Sequence, residues 1–294
     1  MMQAAIYTFP SYISQGTQLA KELQIPCYDV KVHHFPDKES LVTLPATHSE
    51  HAIFCLSLDY PNNKLIELLF ACKTAREQGV KRISLLAPYL CYMRQDISFH
   101  DTEAVSQKII GQWLSELVDD VITIDPHLHR RHSLDDVIPD TNNILLSATE
   151  QLGEFVLALN KKVHLLGPDE ESKQWVKRVA EMSGSAFSVA SKKRYSDTHV
   201  EITLPEETYL NQHVILIDDV ISTGHTIAET ADKLYRLGAS QVDVMTTHAL
   251  FSEGAMSLLN KAKIKNIWSS DSISHSSNTI LLAPVFSETI KALL

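Results

Sequence analysis

HVILIDDVISTGHTIAETADKLYRL, running from His213 to Leu237, is the stretch whose reading decides the fold. It opens on Val214, Ile215, Leu216 and Ile217, an apolar run rich in β-branched side chains. Such a run reads as a strand covered on both faces, as strands of a parallel sheet are. Asp218 and Asp219 follow, where that strand is expected to end. Ser222, Thr223, Gly224, His225 and Thr226 then make a short loop, and a helical pattern begins after it. Ile227, Ala231, Leu234 and Tyr235 share one helical face, while Glu229, Asp232, Lys233 and Arg236 fall mostly on the other. Gly238 is placed to stop the helix.

A strand, a loop carrying hydroxyls and a glycine, and a helix N-terminus together make an anion site. Backbone N–H groups and the helix dipole point at one spot, and Ser and Thr hydroxyls add donors. Gly224 lets the backbone turn with positive φ or approach a ligand closely. No Gly-Lys-Ser/Thr is present here, so this is not the loop of a nucleoside-triphosphate P-loop protein. The paired aspartates add acceptors suited to the hydroxyls of a sugar phosphate. The plainer alternative is an ordinary strand–loop–helix with solvated carboxylates; the full string Asp-Asp-x-x-Ser-Thr-Gly-x-Thr favours the site.

The chain is 294 residues long, the length of about two domains. Apolar residues make up 44%, enough for sizeable cores. A formal charge of −10 argues against nucleic acid or an anionic membrane as a partner. No apolar run approaches the ~20 residues that span a bilayer. The opening MMQAAIYTFP lacks the charged and apolar regions of a secretory signal, so a cytoplasmic location is expected. Cys27, Cys55, Cys72 and Cys91 show no Cys-x-x-Cys spacing and read as free, buried thiols rather than disulfides or zinc ligands.

Outward from the central stretch, strands and helices alternate. Strands are expected at 4–9, 41–44, 52–58, 82–87, 120–125, 162–166, 187–190, 241–247, 266–271 and 279–283. Helices are expected at 14–23, 62–78, 103–117, 144–159, 171–182, in a segment ending at 259, and in the last nine or so residues. The alternation predicts an α/β protein with two doubly wound parallel sheets. Polar residues 133–143, with Pro139, mark a boundary between an N-terminal domain, 1–143, and a C-terminal one, 144–294, with the last helix a candidate to pack back on the first. Residues 75–89 and 235–250 share one helix–Gly–strand–loop cadence, which duplication or common α/β grammar would both explain. Functional loops of such sheets lie beyond the carboxyl ends of strands. Arg94 is in one such loop, as a charged fork suited to phosphate or a base edge, or as a surface partner of Asp96. His127 ends another strand, where a lone histidine is readily structural.

Taken together, these pieces resemble the PRPP synthetase (ribose-phosphate diphosphokinase) family from near the start of the chain to near its end. That family has the type I phosphoribosyltransferase fold. Residues 218–226 resemble its PRPP loop, which implies that Asp218, Asp219, Ser222, Thr223, Gly224, His225 and Thr226 bind ribose 5-phosphate. Phe35-Pro36-Asp37-Lys38-Glu39 resembles its Phe-x-Asp-x-Glu loop, implying that Phe35, Asp37 and Glu39 reach ATP on a neighbouring subunit. Pro88-Tyr89-Leu90-Cys91-Tyr92-Met93-Arg94-Gln95-Asp96 resembles its ATP-contacting string, implying roles for Arg94, Gln95 and Asp96. Asp125-Pro126-His127 and Pro168-Asp169 resemble segments whose His and Asp meet Mg²⁺. Lys192-Lys193-Arg194 resembles its flexible-loop Lys-x-Arg, implying that Lys192 and Arg194, with His127, serve catalysis. Thr247-His248 with Phe251-Ser252 resembles a further signature. The implied reaction moves the diphosphoryl group of ATP to ribose 5-phosphate, in a homo-oligomer with shared ATP sites.

The chain also departs from the family pattern. Ile97 replaces a basic residue after Arg-Gln-Asp, Glu170 and Glu171 replace a glycine pair, and His225 stands where a second Gly is common. Two extra carboxylates repel a diphosphate unless a cation intervenes. The basic run Leu128-His129-Arg130-Arg131-His132 is placed to compensate. Two other readings follow: a non-enzymatic regulatory subunit of a true synthetase, and a phosphoribosyltransferase, whose chemistry has no use for residues 88–96.

Overall fold

The computed structural model describes residues 3–46, 49–98, 100–128, 133–194 and 200–294. The chain divides into two compact units, Met1–Leu146 with Leu282–Leu294, and Ser147–Leu281.

In the first unit the order is β1 (Ala4–Thr8), α1 (Ile13–Leu23), β2 (Cys27–Asp29), β3 (Lys31–His34), β4 (Ser40–Thr43), β5 (His51–Cys55), α2 (Pro61–Glu77), β6 (Arg82–Leu86), α3 (Ser106–Ser115), β7 (Asp120–Ile124) and β8 (Asn142–Leu146). Six of the strands form a parallel sheet in the order β2-β1-β5-β6-β7-β8. β1, β5 and β7 are buried at every position, as β-branched and apolar runs between two helical layers should be. β3 and β4 stand apart as an antiparallel hairpin.

In the second unit the order is α4 (Thr149–Ala158), β9 (His164–Gly167), α5 (Lys173–Ser183), β10 (Ala186–Val189), β11 (Ser191–Arg194), β12 (Val200–Thr203), β13 (His213–Ile221), α6 (His225–Arg236), β14 (Gln241–Ala249), α7 (Ala255–Lys261), β15 (Ile267–Ser270) and β16 (Asn278–Ile280). The parallel sheet runs β10-β9-β13-β14-β15-β16, and β11 pairs antiparallel with β12. The final helix, α8 (Ala283–Lys291), belongs to the first unit and packs on α1. The expected α/β class with two parallel sheets is what the chain forms.

Both units follow one plan: the same strand order, with an antiparallel hairpin inserted before the third sheet strand. The register pairs His51↔Arg82 and His213↔Gln241 align the two. Counted from them, Tyr92 and Phe251 take the same place, and both have positive φ, 61° and 24°. Asp125 and Asp271 also correspond; each is 6% exposed, and each backbone N–H donates to the next strand, to Leu146 O and Ile280 O, at 3.0 Å. The cadence shared by 75–89 and 235–250 falls on corresponding helix ends and strands.

Polar side chains close the N-terminal edges of both sheets. In the first, Arg82 forks onto Asp120 at 2.8 and 2.6 Å, and Ser84 Oγ and Asn142 Nδ2 donate to the same carboxylate at 2.6 and 2.8 Å. Ser84 Oγ, having given its proton to Asp120, accepts from His51 Nε2 at 2.7 Å. Burial pushes the Asp120 carboxyl up, but the bonds from Arg82, Ser84 and Asn142 outweigh it, so the carboxyl ends below its ordinary value. In the second, Asp243 accepts from His213, Gln241 and Asn266 at 2.6 to 3.0 Å.

This arrangement has a consequence for acid stability. Burial holds His51 and His164 below the ordinary histidine value of 6.5, and Arg82 adds to the effect at His51. Just below pH 6.5 the unfolded chain therefore binds more protons than the folded one, so stability rises with pH there. The contribution is complete above about pH 6.5 and is lost as the pH falls from there through the lower folded values. Urea midpoints are expected to fall between pH 7.5 and 5.5, and less steeply in His51→Gln.

Several elements differ from those expected. Residues 144–146 are not the start of a helix but the end of β8, and α4 begins at Thr149. A three-residue apolar run fits either element, and pairing with β7 decides it. α3 begins at Ser106 rather than 103. Strand β3 was not expected at all. β13 does not end at Asp218 but runs on to Ile221, because Val220 and Ile221 keep pairing with His248 and Ala249. Lys192 and Arg194 lie on a strand rather than in a loop. The basic residues 129–132 are outside the described residues. Cys55, Cys72 and Cys91 are buried, Cys27 is half-buried, and none forms a disulfide. Burial pushes the Cys72 and Cys91 thiols up to about 12, so they are inert. Among the described residues no helix is long and apolar enough to cross a membrane.

Candidate active site

In each sheet the strand order reverses beside the first strand, between β1 and β5 and between β9 and β13. Crevices at such reversals, beyond the carboxyl ends of the strands, are where open α/β sheets take ligands.

In the second unit the loops after β9 and β13 flank that crevice. Gly167 ends β9; a Cβ there would come within 2.3 Å of Ser172 Oγ and would displace that side chain. Asp169 then caps a 3-10 turn at Glu170–Ser172, accepting from Ser172 N through Oδ1 at 3.3 Å, while Ser172 Oγ donates to its carbonyl at 2.6 Å. Glu170 and Glu171 are exposed in that turn. Asp169 Oδ2 lies 3.6 Å from Lys192 Nζ, and the same Nζ donates to Thr226 Oγ1 at 3.2 Å. One lysine thus joins the loop after β9 to the first turn of α6.

Asp218 and Asp219 lie in the C-terminal half of β13. Asp219 is buried, and its Oδ1 accepts from Val220 N at 2.7 Å. Burial raises the Asp218 carboxyl well above its ordinary value, and the charges of Asp219 and Asp169 raise it further. Like charges this near one another disfavour the ionised form of Asp218. Gly224, with φ +77°, is the N-cap of α6. Thr223 and His225 are exposed, and Ser222 and Thr226 are half-buried. The loop is braced from β14: Thr246 Oγ1 donates to Asp219 O at 3.1 Å, Phe251 N to Ile221 O at 2.9 Å, and Ser252 N to Ser222 O at 2.9 Å. This gives the signature residues Phe251 and Ser252 a structural task that the sequence did not reveal.

In the first unit, residues 35–39 form the tip of the β3–β4 hairpin. Phe35, Asp37 and Glu39 are all exposed there, and Phe35 packs edge-on against His33 at 4.8 Å. Arg94 and Gln95 are exposed in the loop after β6, and Asp96 is buried. The Gln95 side chain is engaged by Ser106 Oγ and by Ala104 O at the start of α3. His127 is half-buried after β7, two residues beyond Asp125, whose φ of +40° is strained for an aspartate. Arg194 has its backbone in β11, and its side chain is outside the described residues. Among the described residues no group of three or more His, Cys, Asp or Glu side chains is arranged to hold a metal ion.

Residues 5–117 match the family described as the N-terminal domain of ribose phosphate pyrophosphokinase, and residues 140–279 match the phosphoribosyl transferase domain. The chain is 34% identical to ribose-phosphate pyrophosphokinase 2 of Archaeoglobus fulgidus, with 78% of this chain and 80% of the relative covered. It is 30% identical to the ribose-phosphate pyrophosphokinase of Saccharolobus solfataricus, covering 91% and 92%. A crystal structure of phosphoribosylpyrophosphate synthetase from Mycobacterium smegmatis shares the fold, with a TM-score of 0.82, 19% identity and 99% and 98% of the two chains covered. With both halves matched and several relatives aligned over most of their length, the chain belongs to the ribose-phosphate pyrophosphokinase family.

Proposed function

We propose that the protein transfers the diphosphoryl group of ATP to the 1-hydroxyl of ribose 5-phosphate, giving PRPP and AMP. The anomeric oxygen forms a bond to the β-phosphorus, the bond from that phosphorus to the bridging oxygen of the α-phosphate breaks, and the hydroxyl proton passes to solvent. The observation that carries this reading is Lys192 held between Asp169 and Thr226, which sets a cation beside a phosphate cradle and a carboxylate cluster. Phosphoryl transfer needs such positioning and charge stabilisation more than covalent catalysis.

In this reading the residues of the 222–226 loop hold the 5-phosphate with the α6 N-terminus, and Asp218 and Asp219 hold the ribose hydroxyls. Lys192 and Arg194 stabilise charge on the transferring phosphates. Phe35, Asp37, Glu39, Arg94, Gln95 and Asp96 hold ATP, so residues 1–143 are the ATP side and 144–294 the ribose side. Mg²⁺ is bound through one or two carboxylates together with substrate phosphates, so the carboxylate of Asp169 fits it although no group of three or more His, Cys, Asp or Glu side chains among the described residues is arranged to hold a metal ion. Asp169 would hold it in the second unit, and when bound it supplies positive charge to the phosphate oxygens. The protein works in the cytoplasm as a homo-oligomer whose ATP sites are shared between subunits; a fully active monomer by light scattering would contradict the sharing.

The test is to incubate the purified protein with ATP, Mg²⁺ and ribose 5-phosphate and measure AMP and PRPP. A preparation that binds both ligands but makes no AMP favours the second reading, a regulatory subunit, for which Glu170, Glu171 and Ile97 are the observations. The cradle has its own test in Gly224→Ala. A side chain at φ +77° costs about 1–2 kcal/mol, and the new Cβ meets Leu259 at 3.1 Å. The KM for ribose 5-phosphate is expected to rise about tenfold, with the KM for ATP unchanged.

A further inference from the structure

α2 buries a carboxylate in a face made otherwise of Leu65, Leu68, Ala71, Cys72 and Ala75. Glu67 is 6% exposed. Its Oε1 lies 2.7 Å from His34 Nε2 and accepts from Ser40 Oγ at 3.2 Å. His34 and Ser40 are register partners, the last pair of the hairpin before the 35–39 turn. One buried oxygen therefore grips both roots of that turn. The turn itself is closed by Phe35 N to Glu39 O and Lys38 N to Phe35 O, each 2.8 Å, and by Glu39 N to Asp37 Oδ1 at 3.1 Å, and its side chains are exposed. A two-stranded hairpin is marginal by itself, so its attachment decides its orientation. A carboxylate inside an apolar face is costly unless its hydrogen bonds are made. A packing role alone would be better filled by leucine.

We propose that Glu67 is the positioning residue of the ATP-contacting turn: it sets the angle at which Phe35, Asp37 and Glu39 are presented to the nucleotide, without touching it. The inference rests on the reading above that these three residues meet ATP.

Steady-state kinetics on the full chain test it. Glu67→Leu is expected to raise the KM for ATP about tenfold while kcat and the KM for ribose 5-phosphate stay within about twofold. Glu67→Gln, which keeps an acceptor for both hairpin side chains, should recover most of the affinity. His34→Ala should weaken ATP in the wild-type background and add nothing in Glu67→Leu, as expected of groups sharing one interaction. Hydrogen exchange at the Phe35 and Lys38 amides should quicken about tenfold in the same variants. An unchanged KM for ATP overturns the proposal. So does a common fall of kcat and both affinities together with thermal stability, which would make Glu67 a packing residue. Should Glu67→Leu fail to fold, His34→Ala and Ser40→Ala, on an exposed hairpin, decide alone. If the wild-type protein makes no AMP, the functional reading fails by itself, and hydrogen exchange still decides whether Glu67 holds the turn.

Discussion

Replacing Lys192 by alanine is expected to lower kcat for PRPP formation by about 10²–10³-fold, the usual result of removing one preorganised donor to developing charge. The side chain spans from Asp169 to Thr226 in the second unit, where the proposed reaction sets the transferring phosphoryl group. The same pair is partly exposed and contributes little to folding, so the melting temperature should hardly move. Lys192→Arg should recover little, because a planar fork cannot replace a compact ammonium between a hydroxyl and a carboxylate. A fall of less than tenfold in the alanine variant would remove Lys192 from the reaction.

Arg82→Leu should have the largest effect on stability, about 3–5 kcal/mol, the cost of leaving a buried carboxylate without its partner. Asp120 is 1% exposed, and after the change it keeps only Ser84 and Asn142. Arg82 Nη1 also donates to Leu293 O at 3.3 Å, so the variant loosens the final residues of the first unit as well. The melting temperature should drop by on the order of 10 °C. A urea-derived loss under about 1 kcal/mol would mean that water reaches Asp120 or that the group gives up its charge.

Both variants concern side chains whose types were visible in the sequence and whose partners were not. The sheets were legible because buried parallel strands write themselves as short β-branched runs, Ile215 and Ile217 among them, between helices of the right length. The phosphate loop was legible because its parts are adjacent in sequence. Residues 144–146 were not, since three apolar residues specify no period and a neighbouring strand had to choose for them. Of the two hairpins only β4 was legible, in the alternation of residues 41–44. Lys31, His33 and His34 are exposed, as strand residues of β3, and Lys192 and Lys193 carry no apolar alternation, so long-range pairing makes the strand. Glu67 looked like any helical glutamate, because His34 and Ser40, the groups that explain its burial, lie 33 and 27 residues away. The site followed the same rule. Motif residues were named by resemblance, while the bonds of Thr246, Phe251 and Ser252 to the backbone of 219–222 needed coordinates.

The first unit takes its last helix from residues 282–294, which a ribosome makes only after the whole of the second unit. A nascent chain that has released residues 1–146 still lacks the cover for α1, and must wait for about 135 further residues, roughly 7–27 s at ordinary elongation rates, before α8 arrives. The half that is translated first is therefore the half that is finished last, and early chaperone contact should fall on the bare surface of α1.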